Sequence, residues 1–430
     1  MRIIALFILI TLSLSCKKEV EPIDPGDPIT LDPPNILLII ADDMGKDATP
    51  GFTEGSIKPN TPNINRIKDE GLTFNNFWVN PTCSPTRASI ITGKYGYRTG
   101  VKWAGDILDP SEKILQSYIE EETNDAYSTA IIGKWHLSGE TANINPESFG
   151  MDYFAGLFRG GVQTYYQWQL MIDGNTSTET EYITKSFADL SIDWVTSQSK
   201  PWFLWLAFNA PHTPFHAPPS TMHSQGELPA YDETLDPMPY YMAAIEAMDF
   251  QIGRLLSAIP ESELDNTIIF FMGDNGTPNQ VAQSPFANNT VKGSLYQGGV
   301  NVPLFVSGTG VTRTGEDNNL ICSTDLFGTI AELAGVNVTE IHDSKSFKSL
   351  LTSNASIREY QYSEKNDGNN DSWTISNGTF KLIVNAGGTQ EMYNLSNDQY
   401  EENNLIGTGL TPQEINAKMQ LEAELAIIRN

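Results

Sequence analysis

The sequence is short of cysteine, short of cations and without a long apolar run. Cys16, Cys83 and Cys322 are its three cysteines in 430 residues, which excludes a disulfide scaffold. Lysine and arginine number 26 against 53 acidic residues, a formal charge of −27. Nucleic acid and anionic membrane surfaces need a basic footprint, so neither is an expected partner. An anionic substrate stays open, because a local positive pocket can sit in a negative protein. The apolar residues 3–14 are too few to span a bilayer comfortably. No internal repeat is visible. What is present suffices for a folded body: 40% hydrophobic and 10% aromatic residues exclude wholesale disorder. At about 150 residues per domain, the length admits two or three domains, or one large α/β domain and a small one.

The amino terminus reads as an address. Arg2, the apolar run and then Ser15 follow the order of a secretory signal. Ser13-Leu14-Ser15-Cys16 resembles a bacterial lipobox, with Ser13 where leucine is usual. The resemblance implies cleavage before Cys16 and lipidation of that cysteine. An ordinary signal peptide with a coincident cysteine is the alternative, and a single transmembrane anchor a further one. Between Lys17 and Pro34 lie Pro22, Pro25, Pro28, Pro33 and Pro34, with Gly26 among acids. This composition reads as an extended tether. The expectation is an exported bacterial lipoprotein, facing the periplasm or on the outer-membrane surface, attached to the membrane through the N-terminal lipid only.

Beyond the tether, Asn35–Ala41 (NILLIIA) is a continuous apolar run of the kind found in strands buried on both faces. Residues 128–133, 202–208, 267–272 and 302–306 repeat the pattern. Thr61-Pro62 opens a helix, with threonine at the N-cap and proline in the first turn. Residues 111–121, 184–197 and 240–258 read as further helices. This alternation predicts an α/β fold, a large mostly parallel or mixed sheet sandwiched by helices. From residue 356 the texture changes to short antiparallel strands (373–376, 380–384, 390–393) and a closing helix over 412–428, a small α+β C-terminal subdomain.

Polar residues follow the apolar runs: Asp42-Asp43 after the first, Lys134-Trp135-His136, Pro211-His212, and Asp274-Asn275. Ligands of open α/β sheets bind outside the carboxyl ends of the strands, so four such ends converge on one site. Cys83-Ser84-Pro85-Thr86-Arg87 sits at the start of a helix, where Cys83 and Arg87 share a face and anions are attracted. Taken alone, a buried helix-start cysteine with a surface arginine explains it equally well.

It does not stand alone. Cys83-x-Pro85-x-Arg87 with Thr92-Gly93 resembles the signature of the sulfatase family, the arylsulfatase-like branch of the alkaline phosphatase superfamily. Asp42-Asp43, Gly133-Lys134-Trp135-His136, Pro211-His212-Thr213-Pro214, Gly273-Asp274-Asn275-Gly276, Lys292-Gly293 and Tyr296 with Gly298-Gly299 follow in the family's order. Lys381-Leu382, Tyr393-Asn394-Leu395 and Asn403-Asn404-Leu405 look like its C-terminal strands. On this reading residues 1–15 are a signal peptide, 16–34 a lipidated tether, 35–355 the sulfatase catalytic domain and 356–430 the antiparallel subdomain.

The resemblance implies a formylglycine-dependent sulfuric ester hydrolase acting on a sulfated glycan. A maturation enzyme would oxidise Cys83 to formylglycine (3-oxoalanine), whose hydrated diol attacks sulfur and forms a covalent sulfo-enzyme intermediate. Asp42, Asp43, Asp274 and Asn275, with the modified Cys83, would bind one divalent cation, calcium by family analogy, magnesium being the other candidate. Hard oxygen donors suit either cation better than zinc. Arg87 and His136 would orient and activate the diol. Lys134, His212 and Lys292 would hold the sulfate oxygens, with His212 or Lys292 protonating the leaving alcohol. Gln297 and Asn301 depart from the glutamate and arginine common in the family. A phosphoester or phosphonate hydrolase of the same superfamily and a catalytically silent glycan-binding lipoprotein are the other readings.

Around this constellation, His216 lines the substrate mouth or serves structure. Tyr165, Tyr166, Trp168 and Trp103 are candidates either for stacking on sugar rings or for the core. Residues 217–239 read as a long ordered loop near His212. Cys322 is expected to be a buried free thiol.

Overall fold

Seven-residue apolar runs bury both faces only if helices cover both sides of a sheet, and this governs the architecture. The computed structural model describes residues 33–139, 144–287, 289–368 and 370–430; the expected signal peptide, Cys16 and most of the expected tether lie outside them. The large sheet takes its strands, in chain order, from β1 (Asn35–Ala41), β2 (Leu72–Phe74), β3 (Ser128–Lys134), β4 (Phe154–Leu157), β5 (Trp168–Ile172), β6 (Asn175–Glu179), β7 (Trp202–Ala207), β8 (Thr267–Gly273), β9 (Leu304–Gly308) and β10 (Gly315–Asp317). Their spatial order is β10-β2-β9-β8-β1-β7-β3-β4-β5-β6. The central five, β8-β1-β7-β3-β4, are mutually parallel. β9 runs antiparallel to β8, and β5 antiparallel to β4.

Alternation along β1 divides the core. Ile36, Leu38 and Ile40 join one apolar layer with α2 (Cys83–Thr92), α3 (Leu115–Glu122) and α6 (Asp325–Leu333). Leu37, Ile39 and Ala41 join the other, with α1 (Pro62–Asp69), α4 (Ile183–Thr196) and α5 (Met238–Ala258). Thr61 holds the N-cap position of α1, but its hydroxyl donates to the Asn65 side chain rather than capping the backbone. The C-terminal sheet is an antiparallel meander of β11 (Gln361–Asn366), β12 (Asp371–Ser376), β13 (Phe380–Val384) and β14 (Gln390–Asn394). It packs on α7 (Pro412–Ile428), which opens with a Thr411–Glu414 capping box. No helix among the described residues is long and apolar enough to cross a membrane.

One expectation needed correction. The strand read at 302–306 is Leu304–Gly308 and runs antiparallel to its neighbour. Of the aromatics left open between sugar stacking and core, Tyr165 and Trp168 are buried and Tyr166 is exposed; Trp168 opens the β5–β6 hairpin and the two tyrosines precede it.

Candidate active site

Parallel strands all point their carboxyl ends the same way, so the polar residues that follow them meet. Asp42 and Asp43 leave β1, Lys134 ends β3 with His136 two residues on, His212 follows β7, and Asp274 and Asn275 leave β8. α2 brings Cys83 and Arg87 from one side, and the loop after Asn289 brings Lys292. All ten residues expected at the site from sequence therefore gather there.

The contacts form one continuous network. The Arg87 guanidinium donates to Asp274 Oδ2 through Nη2 at 2.7 Å and to the Lys134 carbonyl through Nη1 at 2.7 Å. Lys134 Nζ lies 2.5 Å from Asp42 Oδ2, and Lys292 Nζ 2.6 Å from Asp43 Oδ2. Asn275 Nδ2 donates to Asp43 Oδ1 at 2.7 Å, and the Asp43 amide donates to Asp274 Oδ1 at 3.1 Å. Asp43 adopts φ +73° and His136 φ +59°, left-handed conformations that cost energy outside glycine. Cys83 Sγ lies 3.1 Å from His136 Nδ1. His212 Nε2 stands 3.8 Å from Asp43 Oδ2.

Burial sets the protonation states. It would raise the Asp43 carboxyl, but Lys292, His212 and the Asn275 amide outweigh it and hold it at about 2. Burial, with Asp42 alongside, pushes Asp274 up to about 6 against the pull of Arg87. Burial would lower the two lysines, yet Asp42 keeps Lys134 charged and Asp43 keeps Lys292 charged, both above the ordinary range. Desolvation brings His212 down to about 4 and His136 well below its ordinary value, so both rings are neutral near pH 7. The Cys83 thiol is pushed up by burial.

The donor set fits a hard cation. Asp42 Oδ1 and Asn275 Oδ1 are buried and have no hydrogen-bond partner among the described residues. A buried acceptor left unfilled costs about 1–3 kcal/mol, and a cation bound by oxygens would satisfy both. The carboxylates of Asp42 and Asp43 and a ring nitrogen of His212 also lie within 4.8 Å of one another. A ring nitrogen of His212 therefore stands close to the expected ligand set, while Asp274 already accepts from Arg87 and the Asp43 amide.

Residues that the motifs did not flag hold this arrangement. Ser84 Oγ donates to the His136 carbonyl at 2.8 Å. Tyr241 OH donates to the Asp43 carbonyl at 2.7 Å. Tyr165 OH contacts the carbonyls of Asn209 and His212 at 2.8 and 2.6 Å, so it braces the histidine loop instead of facing a sugar. His216 stacks on Tyr165 at 3.7 Å between ring centres and contacts Tyr182 OH, a structural role. No sequence signal gives these tyrosines a bracing role, because a buried phenol reads as core. Trp103 is half-buried beside Gly293, next to Lys292. Gly160 is needed where it stands: a Cβ there would come within 2.1 Å of the His136 ring.

The sulfatase family model matches residues 34–336, and a model for the C-terminal region of N-sulphoglucosamine sulphohydrolase matches residues 291–430. Human N-acetylgalactosamine-6-sulfatase is 29% identical over 346 residues, covering 71% of this chain and 62% of that protein. A sulfatase of Formosa agariphila is 25% identical, covering 91% of this chain and 88% of its own. The crystal structure of Ps i-CgsB in complex with k-i-k-neocarrahexaose superposes with a TM-score of 0.77 at 25% identity, covering 91% of this chain and 92% of that one. Against the N-acetylgalactosamine-6-sulfatases, the matched region spans less than two thirds of the relatives' length. With one family model alone matching 303 residues (336 − 34 + 1) of this chain's 430, the chain belongs to the sulfatase family.

Proposed function

We propose that the chain hydrolyses sulfate esters of carbohydrates, with Cys83 matured to formylglycine as nucleophile. The observation that carries this reading is the position of residue 83: first residue of a buried helix, 3.1 Å from a neutral His136 and flanked by two charged lysines. A thiol pushed up by burial is a poor nucleophile near neutral pH. A hydrated aldehyde in its place offers two hydroxyls and needs no thiolate.

Each neighbour then has a task that its protonation state allows. His136, neutral, accepts the attacking hydroxyl's proton through Nδ1. Arg87 is spent on Asp274 and the Lys134 carbonyl, so it fixes the frame around residue 83. Lys134 and Lys292 present ammonium groups to the sulfate oxygens, where charge develops. Lys292 carries the proton that the leaving alkoxide takes, and His212 stands beside it to orient the ester. Asp42, Asp43, Asp274 and Asn275 would hold a divalent cation, calcium or magnesium, whose contribution is Lewis-acid polarisation of the ester.

The glycan substrate is supported by the similarity to N-acetylgalactosamine-6-sulfatase and to Ps i-CgsB, which was solved in complex with k-i-k-neocarrahexaose. We also propose export and N-terminal lipid anchoring, on the strength of residues 2–16, and a maturation enzyme acting on Cys83.

Peptide mass spectrometry across residue 83, on active protein from a host able to make formylglycine, tests the reading. The expected result is an aldehyde at position 83. An unmodified thiol in protein that releases sulfate would overturn it.

A further inference from the structure

β4 lies parallel to β3 with Leu157 opposite Lys134, so the residues after β4 emerge beside those after β3. The His136 amide donates to the Phe158 carbonyl at 3.3 Å, and the His136 ring rests on Gly160. Phe158 also lines a cavity of ≈ 680 Å³, with Arg159, Gly161, Gln163, Gln167 and Trp168 among its other walls. That volume falls within the range of about 300–1,000 Å³ usual for small-ligand pockets.

Its lining has a chemical bias. The side chains of Gln163 and Gln167 make no hydrogen bond among the described residues, which leaves their amides open to sugar hydroxyls. Arg159 is the sharper signal. Seven of the eight arginines among the described residues form an ion pair with a carboxylate. Arg159 alone has neither ion pair nor hydrogen bond among them. In a chain with 53 acidic residues, this exposed guanidinium has no carboxylate partner among the described residues; it lines a cavity that shares Phe158 with the His136 contact, and its planar donor fork is free for an anion.

We infer that this cavity receives the sugar unit next to the ester being cleaved, and that Arg159 pairs there with a second anionic substituent of the glycan, a sulfate or a uronate carboxylate. The inference rests on the sulfatase reading and adds to it a preference for multiply anionic chains.

The test is a ratio measured within each variant, so the active fraction cancels. kcat/KM is determined for matched disaccharides that share the scissile sulfate and differ in a second sulfate. A second pair differs in a uronate against a neutral sugar. Wild type is expected to favour at least one anionic partner tenfold or more, and the pair that shows it identifies the anion. In R159A that ratio should fall about tenfold, mainly through KM, with R159K between the two. An equal ratio in wild type and R159A for both pairs overturns the inference while leaving the sulfatase reading intact. Failure of the aldehyde-bearing wild type to release sulfate from any member overturns both.

Discussion

Two buried arginine–carboxylate pairs in this molecule look alike and do opposite jobs. Arg358 and Asp325 fasten the approach to the C-terminal sheet onto the start of α6. There every acceptor is filled: Asp325 takes the Cys322 and Lys345 amides and two nitrogens of Arg358. Arg87 and Asp274 are fully buried, but the cluster around them leaves Asp42 Oδ1 and Asn275 Oδ1 without a partner among the described residues. A saturated pair serves architecture. A pair set beside unfilled oxygens is waiting for something the chain does not itself supply.

The comparison can be broken most decisively at its open end. Asp42→Asn, or removal of divalent cations by a chelator, is expected to lower kcat/KM for an aryl sulfate by at least about 10³-fold, roughly 4 kcal/mol of transition-state stabilisation. The same substitution should abolish any rise in melting temperature on adding calcium. With a ligand at 100 times its Kd, that rise reflects about 2.7 kcal/mol. Wild-type activity indifferent to chelation would mean the empty oxygens are not a cation site.

At the closed end, Arg358→Met removes one partner of a buried pair and should cost about 3–5 kcal/mol of stability. Chemical denaturation measures the loss. The protein that remains folded should keep its kcat, and a variant of normal stability but reduced kcat would erase the distinction between the two pairs.

The smallest effect lies between them, in the braces. His216 has a folded value near 4, depressed by burial from the ordinary 6.5. Between those values the unfolded chain binds the proton and the folded chain does not, so stability is full above about pH 6.5 and falls toward pH 4. For His216 alone the loss is at most about 3 kcal/mol at 1.36 kcal/mol per unit. His216→Phe should flatten the melting temperature across that window by a measurable part. An unchanged slope would place the titration elsewhere.

Much of the site was legible because its residues follow strong local signals. Asn35–Ala41 and Pro412–Ile428 announce themselves by an unbroken apolar run and a capped, proline-led helix. The motifs at 83–87, 133–136, 211–214 and 273–276 sit at the ends of such elements. What was not legible depends on long-range pairing. β4 is only four residues long and owes its burial to its register against β3. β6 is almost wholly exposed and carries no apolar period. The sequence leaves Tyr165 open between sugar stacking and core, and only the fold reveals that its hydroxyl faces the carbonyls of the His212 loop. Arg159 has no motif at all; its meaning comes from having no carboxylate partner among the described residues.

The measurement that bears most directly on the central claim is turnover of an aryl sulfate against the matching aryl phosphate, by wild type matured at position 83 and by Cys83→Ala. The account predicts sulfate preferred by at least about 100-fold in kcat/KM, equivalent to roughly 2.7 kcal/mol, and no turnover by a Cys83→Ala protein that melts like wild type. Preference for phosphate, or substantial sulfate release without Cys83, would contradict it.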